Sequence, residues 1–148
     1  MTPVEVPAGP LLVDTDVFSF ILLRKRNWEQ FAALIDGHER LLSFATVGEL
    51  YAAPEAAGST WGPEKRAQLD IQVRQHIILT ATEPVARVYG QLHARFRGQF
   101  KDGGHNDMWI AACALAQPSP PPLVTNNLGD FQKIAAAFSG LRLVHPAL

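Results

Sequence analysis

The sequence holds a single cysteine, Cys113, in 148 residues. No internal disulfide can form, and a reducing, cytoplasmic home is the simplest fit. An excess of charge of either sign is also missing: 13 basic residues face 14 acidic ones, for a net charge of -1. That excludes a polycation that grips nucleic acid by bulk attraction. Long apolar runs are absent. The longest nearly unbroken one, Met108 to Ala116, is roughly half of what a membrane span needs, so no membrane role is expected. No basic residue precedes the first apolar stretch, and Arg24, Lys25 and Arg26 follow it, the wrong order for a secretory signal. A zinc site has no Cys/His cluster to build on, because His38, His76, His93, His105 and His145 are scattered. Of these only His105, two residues before Asp107, stands near a candidate site residue in the chain, and it reads as a loop or capping residue.

What is present is a core. Hydrophobic residues make up 47% and charged residues 18%, which excludes a disordered chain. A chain of this length is one domain and buries about 70% of its unfolded surface. Residues 1–10, with three prolines, read as a flexible N-terminal arm, and 11–148 as one folded domain.

The apolar pattern alternates short runs with helical periods. Leu11-Leu12-Val13 reads as a buried strand ending at Asp14, and Thr15 as the cap of a helix over about Asp16 to Arg24. Trp28, Phe31, Ala32 and Ile35 recur at helical spacing, and Gly37 stops that helix. Leu41 to Ala45 reads as a strand, and Thr46 to Ala53 as a helix broken at Pro54. Pro54 to Pro63 reads as a loop. Pro63-Glu64 opens the next helix. Ile77 to Leu79 is a short strand, and Thr82 caps a helix carrying Val85, Leu92 and Phe96. Lys101 to His105 reads as a loop. Asn106 caps an apolar helix to about Gln117. Leu123 to Thr125 is a strand, Asn127 caps a helix over about Leu128 to Phe138, and Leu141 to Val144 is the last strand. Strands alternating with helices imply an α/β fold, a parallel sheet covered on both faces. Ligands of such folds sit beyond the carboxyl ends of the strands.

Four acids fall at strand-to-helix junctions or helix starts: Asp14, Glu49, Asp107 and Asp130. Each has an ordinary explanation. Thr46-x-x-Glu49 fits a capping box, Asn127-x-x-Asp130 a weaker one, and Asp107 suits a helix dipole. Asp14 is harder to dismiss, because a carboxylate at the end of a buried strand is desolvated. Together the four repel one another and favour either a proton or a divalent cation. Mg²⁺ and Mn²⁺ prefer oxygen ligands, and such a site suits phosphodiester hydrolysis. With these four set aside, 10 acids face the 13 basic residues, a balance of +3. Arg87, Arg95, Arg97 and Lys101 lead into Asp107 and read as candidate contacts to a phosphate backbone, or as a solvated helix face.

The segments Leu11-Leu-Val-Asp14-Thr15-Asp16, Thr46-Val-Gly-Glu49-Leu50, His105-Asn106-Asp107-Met-Trp-Ile-Ala-Ala and Thr125-Asn126-Asn127-Leu-Gly-Asp130-Phe131 together resemble the PIN-domain ribonucleases. They are most similar to the VapC toxins of bacterial toxin–antitoxin pairs. The resemblance runs from about Leu11 to Val144. It implies a three-layer α/β/α sandwich around a central parallel sheet. It implies cleavage of single-stranded RNA with one or two Mg²⁺ or Mn²⁺ ions, an antitoxin partner and a homodimer. The family's acidic ligands map onto Asp14, Glu49, Asp107 and Asp130, with Asp16, Asn126, Thr15 and Thr46 in support. Phe18, Phe20, Leu22, Leu23 and Trp28 crowd the first two helices, and Trp61 stands in a small-residue loop, an apolar excess that fits a partner surface. Two alternatives stand beside this reading. Asp14-Thr15-Asp16-Val17 also fits the nucleophile motif of haloacid-dehalogenase-type phosphatases, although no second acid follows Asp130 closely and Glu49 is left unexplained. A PIN-like module that binds RNA or protein without cutting is the other.

Overall fold

The computed structural model describes residues 5–100 and 104–148. The elements alternate as β1 (Leu11–Val13), α1 (Thr15–Leu23), α2 (Trp28–Ile35), β2 (Arg40–Ser43), α3 (Phe44–Glu55), α4 (Pro63–Arg74), β3 (Ile77–Leu79), α5 (Glu83–Phe96), α6 (His105–Leu115), β4 (Leu123–Val124), α7 (Leu128–Ala137) and β5 (Leu143–Val144). The strands form one sheet in the order β3-β2-β1-β4-β5, and every neighbouring pair is parallel. The expected three-layer α/β/α sandwich is what the chain adopts.

The strand sequences show why. Leu11, Leu12 and Val13 are all buried, since helices cover both faces of this central strand, whereas Ile77 and Ile78 on the edge strand β3 are exposed. Leu12 joins a core with Leu92, Phe96, Met108 and Phe131, from α5, α6 and α7. Leu11 and Val13 point into a second core with Val17, Phe31 and Leu69, from α1, α2 and α4. In α6, Ala111 to Ala114 are fully buried, and the Cys113 thiol lies 3.3 Å from Ser43 Oγ at the end of β2. Among the described residues no helix is long and apolar enough to cross a membrane.

Several helix starts differ from the sequence reading, because another residue holds the cap position. Asp14, not Thr15, caps α1: its carboxylate accepts from the Thr15 amide at 2.8 Å. Ser43, not Thr46, caps α3 by accepting from the Ala45 amide at 3.1 Å, so the second strand stops at Ser43 rather than Ala45. Thr46 lies inside the helix, and the capping box with Glu49 does not form. Asn106 is likewise inside α6, whose cap is Gly104. Asn127 holds the cap position of α7 without a side-chain cap bond. Pro54 is accommodated in the last turn of α3, and the helix ends one residue later. Met1 to Val4 of the expected arm, and Lys101, lie outside the described residues.

Candidate functional site

Parallel strands deliver their carboxyl ends to one edge of the sheet, and there the acids gather. Asp14 follows β1 directly. It is buried, and both its oxygens are engaged: the Thr15 amide donates to Oδ1 and the Thr125 hydroxyl donates to Oδ2 at 2.6 Å. Thr125 follows β4, so two adjacent strand ends are tied through one carboxylate. Asp16 Oδ1 accepts from the Val17 amide at 2.7 Å and the Asn126 amide at 3.5 Å. Asn126 thus takes part through its backbone.

Glu49 comes from α3. The Thr15 hydroxyl lies 2.9 Å from Glu49 Oε1 and 3.0 Å from Thr46 Oγ1. Its single proton is bifurcated between these two acceptors, the carboxylate and buried Thr46. Freed from capping by Asp14 and Ser43, the two threonines therefore orient Glu49. From α6, Asp107 Oδ2 accepts from Asn127 Nδ2 at 3.2 Å, which explains why Asn127 makes no cap bond. Glu49, His105, Asn106, Asp107, Asn127 and Asp130 line an open cleft of about 530 Å³, together with Gly104.

The charges act on one another across this cleft. Burial, then the negative charges of Asp130, Glu49 and Asp16, pushes the Asp107 carboxyl up to about 7. Burial raises Asp14 well above the usual carboxylate range, with Asp16 and Asp107 adding to it and the bonds from Thr125 and Thr15 opposing. Asp16 is raised too, by burial first. All four predicted acids and Asp16 thus share one electrostatic neighbourhood. Among the described residues, no three acid, histidine or cysteine side chains converge into a ready ion cage. Mg²⁺ asks for less, since it keeps several waters and is held through one or two carboxylates. The carboxylate oxygens suit such a hard cation.

Of the predicted basic contacts, Arg87, Arg95 and Arg97 do not line the cleft, and Lys101 lies outside the described residues. Arg87 bonds Glu83 Oε1 at 2.9 and 2.6 Å along α5, Arg95 lies over the Phe96 ring at 5.1 Å, and Arg97 is exposed beyond the helix end. Sequence reasoning also passed over Gly104. Its φ of +66° is left-handed, and a Cβ there would stand 2.5 Å from Phe100 Cδ2. Only glycine lets the chain enter α6 at the angle that presents Asp107. A second cavity, of about 390 Å³, lies among α1, α2 and α4 with Phe18, Leu22, Trp28 and His76 on its walls, and no carboxylate lines it.

The profile of the PIN domain family matches residues 11–137. The chain belongs to the PIN-domain family. Ribonuclease VapC1 of Haemophilus influenzae strain R2866 is 25% identical over 125 residues, covering 83% of this PIN-domain chain and 90% of the relative. Among solved structures, FitAcB from Neisseria gonorrhoeae superposes with a TM-score of 0.68 at 27% identity, over 93% of this chain and 98% of that one. VapBC2 from Rickettsia felis, bound to a DNA fragment from its promoter, gives a TM-score of 0.70 at 20% identity, over 92% and 98%. The family match sets the haloacid-dehalogenase alternative aside.

Proposed function

We propose that this PIN-domain protein is a metal-dependent endoribonuclease that hydrolyses single-stranded RNA, and that it is the toxin of a toxin–antitoxin pair. The observation that carries the nuclease reading is the meeting of carboxylates from separate strand-to-helix junctions at one open cleft on the carboxyl edge of a parallel sheet. A fold gains nothing in stability from such repulsion, so a positively charged ligand is the reason to keep it. Similarity to a ribonuclease supports the same reading.

Asp14, Glu49, Asp107 and Asp130 would hold one or two Mg²⁺ or Mn²⁺ ions, directly or through water. When bound, the ion supplies neutralisation of phosphate charge and acidification of water. The protein's own groups do the rest. Thr15 and Thr46 fix Glu49, and Asn127 fixes Asp107, so neither carboxylate spends rotational freedom on entry of substrate. Glu49 and Asp107 face the cleft and can accept a proton from attacking water. No serine or lysine lines the cleft among the described residues, which disfavours a covalent enzyme intermediate.

The test is cleavage of a single-stranded RNA with end-group analysis. Activity is expected to stop with EDTA and return with Mg²⁺ or Mn²⁺. Products are expected to carry 5′-phosphate and 3′-hydroxyl ends, because water rather than the RNA 2′-hydroxyl attacks. Products ending in 2′,3′-cyclic phosphate, or activity untouched by EDTA, overturn the reading. The antitoxin partner rests on likeness to toxin–antitoxin complexes, among them one from Klebsiella pneumoniae described as such. A homodimer is part of the same proposal, as is work in the cytoplasm.

A further inference from the structure

A column of rings runs across α5 and α6 to the lip of the acid cleft. Phe44 meets the Trp109 ring edge-on at 5.3 Å. Trp109 and Tyr89 stack with centroids 3.8 Å apart and planes 11° apart. Tyr89 and His93 follow at 5.8 Å and 26°, then His93 and His105 at 5.6 Å and 21°. The Tyr89 hydroxyl also lies 3.0 Å from His105 Nδ1. Packing of α5 on α6 is already provided by Leu92, Phe96 and Met108, which are buried. His105 adds little to that packing: it is exposed, yet its ring is held by a stack on one side and a hydrogen bond at one nitrogen. It also lines the cleft with Glu49, Asp107 and Asp130, and no lysine or arginine does so among the described residues.

We propose that His105 is the stacking platform for a nucleobase of the RNA strand beside the bond that is cut, with Tyr89 as its positioning residue. This rests on the reading of the cleft as an RNA-cleaving site. The acids attract the strand only through a cation, and the phosphates meet no fixed positive side chain on the described walls. An anchor other than an ion pair is needed, and every base offers a flat π-face to an aromatic ring. A pre-oriented ring loses little freedom when a base settles on it. Stacking of this kind is sequence-tolerant, so His105 fixes the register of the strand without reading a particular base.

The experiment uses a short single-stranded RNA carrying 2-aminopurine at each position in turn, mixed with the full-length protein in Mg²⁺. Base fluorescence is followed within the first turnover, and KM and kcat are taken from cleavage. One position is expected to be quenched by the wild type. His105→Ala is expected to abolish that quenching and raise KM about five- to 150-fold, the range of a base–aromatic stack, with a smaller change in kcat. His105→Phe keeps the ring but not the nitrogen that meets the Tyr89 hydroxyl, and is expected to restore the quenching with KM at an intermediate value. Tyr89→Phe keeps the stack, loses the hydroxyl contact and gives an intermediate KM. An abasic nucleotide at the quenched position is expected to weaken the wild type strongly and His105→Ala hardly at all. Unchanged quenching and KM in His105→Ala overturn the proposal while leaving the nuclease reading intact. So does a variant whose only change is in melting temperature or oligomeric state. Quenching that depends on His105 in a protein that cuts no RNA upholds the platform and removes the nuclease.

Discussion

Asp107 is the acid on which most of the others act. Its carboxyl titrates near 7 in the folded chain, first because it is desolvated and then because Asp130, Glu49 and Asp16 are negative. An unfolded aspartate titrates near about 4. Between those values the folded state holds the extra proton, so stability of the metal-free protein falls as pH rises from about 4 through about 7. Asp107→Asn removes the part of this dependence that Asp107 carries, while Asp14 and Asp16 keep theirs. In EDTA the variant is expected to melt at a higher temperature than the wild type at pH 8, by on the order of 2 kcal/mol in stability after screening by water in the open cleft. The two should nearly coincide at pH 4. Calorimetric melting at both pH values checks the sign. Asp14→Asn is expected to lower RNA cleavage by at least about a hundredfold with the fold retained, as read by circular dichroism and a cleavage assay. Full activity of that variant in Mg²⁺ would take Asp14 out of the site.

At the level of elements, the site depends on where helices begin. Gly104 sets the start of α6 and thereby the position of Asp107. Gly104→Ala must adopt a left-handed φ and displace the Phe100 ring, which is expected to lower stability by about 1–3 kcal/mol. Activity should fall further than the loss of folded protein explains, a difference that urea unfolding and kcat on the same sample reveal. Helix starts are also where sequence and structure diverge. The apolar runs placed every strand and most helices, because burial on both sheet faces leaves an unmistakable mark at Leu11 to Val13 and Leu123-Val124. Asp14, Glu49 and Asp130 were legible as a set because the parallel order forces their strand-to-helix junctions to one edge, and Asp107 only as an acid in the first turn of an apolar helix. Caps were not. Asp14, Thr15, Ser43 and Thr46 are all competent capping residues, and a choice among them is made by one backbone turn. The stacked column from Trp109 to His105 was hidden for a different reason. It joins residues of two helices, and no periodicity within one helix reports a contact with the next.

For the whole molecule, the apolar residues of α1 and α2 bear on assembly. Phe18 belongs to the protein's own core, whereas Phe20, Leu22, Leu23 and Trp28 are only half-buried, and Trp61 packs partly against the same core. Half-buried aromatics gathered on neighbouring helices favour a covering surface. The proposed homodimer is expected to be visible by light scattering at tens of micromolar, and a monomer there removes it. Cleavage is expected to persist when the 2′-hydroxyl at the cut site is replaced by hydrogen, because the parallel-sheet cleft acts on phosphate and water. Loss of cleavage with binding retained, measured on matched oligonucleotides, would reverse that expectation.

The solitary cysteine gives the protein a built-in clock. Cys113 is fully buried in the middle of α6, its thiol held up in pKa by burial and set against Ser43 at the carboxyl end of β2. A disulfide reagent reaches that sulfur only when α6 lifts from the strands it covers. The labelling rate therefore counts openings of the helix whose first turn carries Asp107, with no engineered probe and no second thiol to confuse the signal. A ligand that bridges Asp107 to Glu49 or Asp130 clamps α6 to α3 or α7, and slows the clock in proportion to its occupancy.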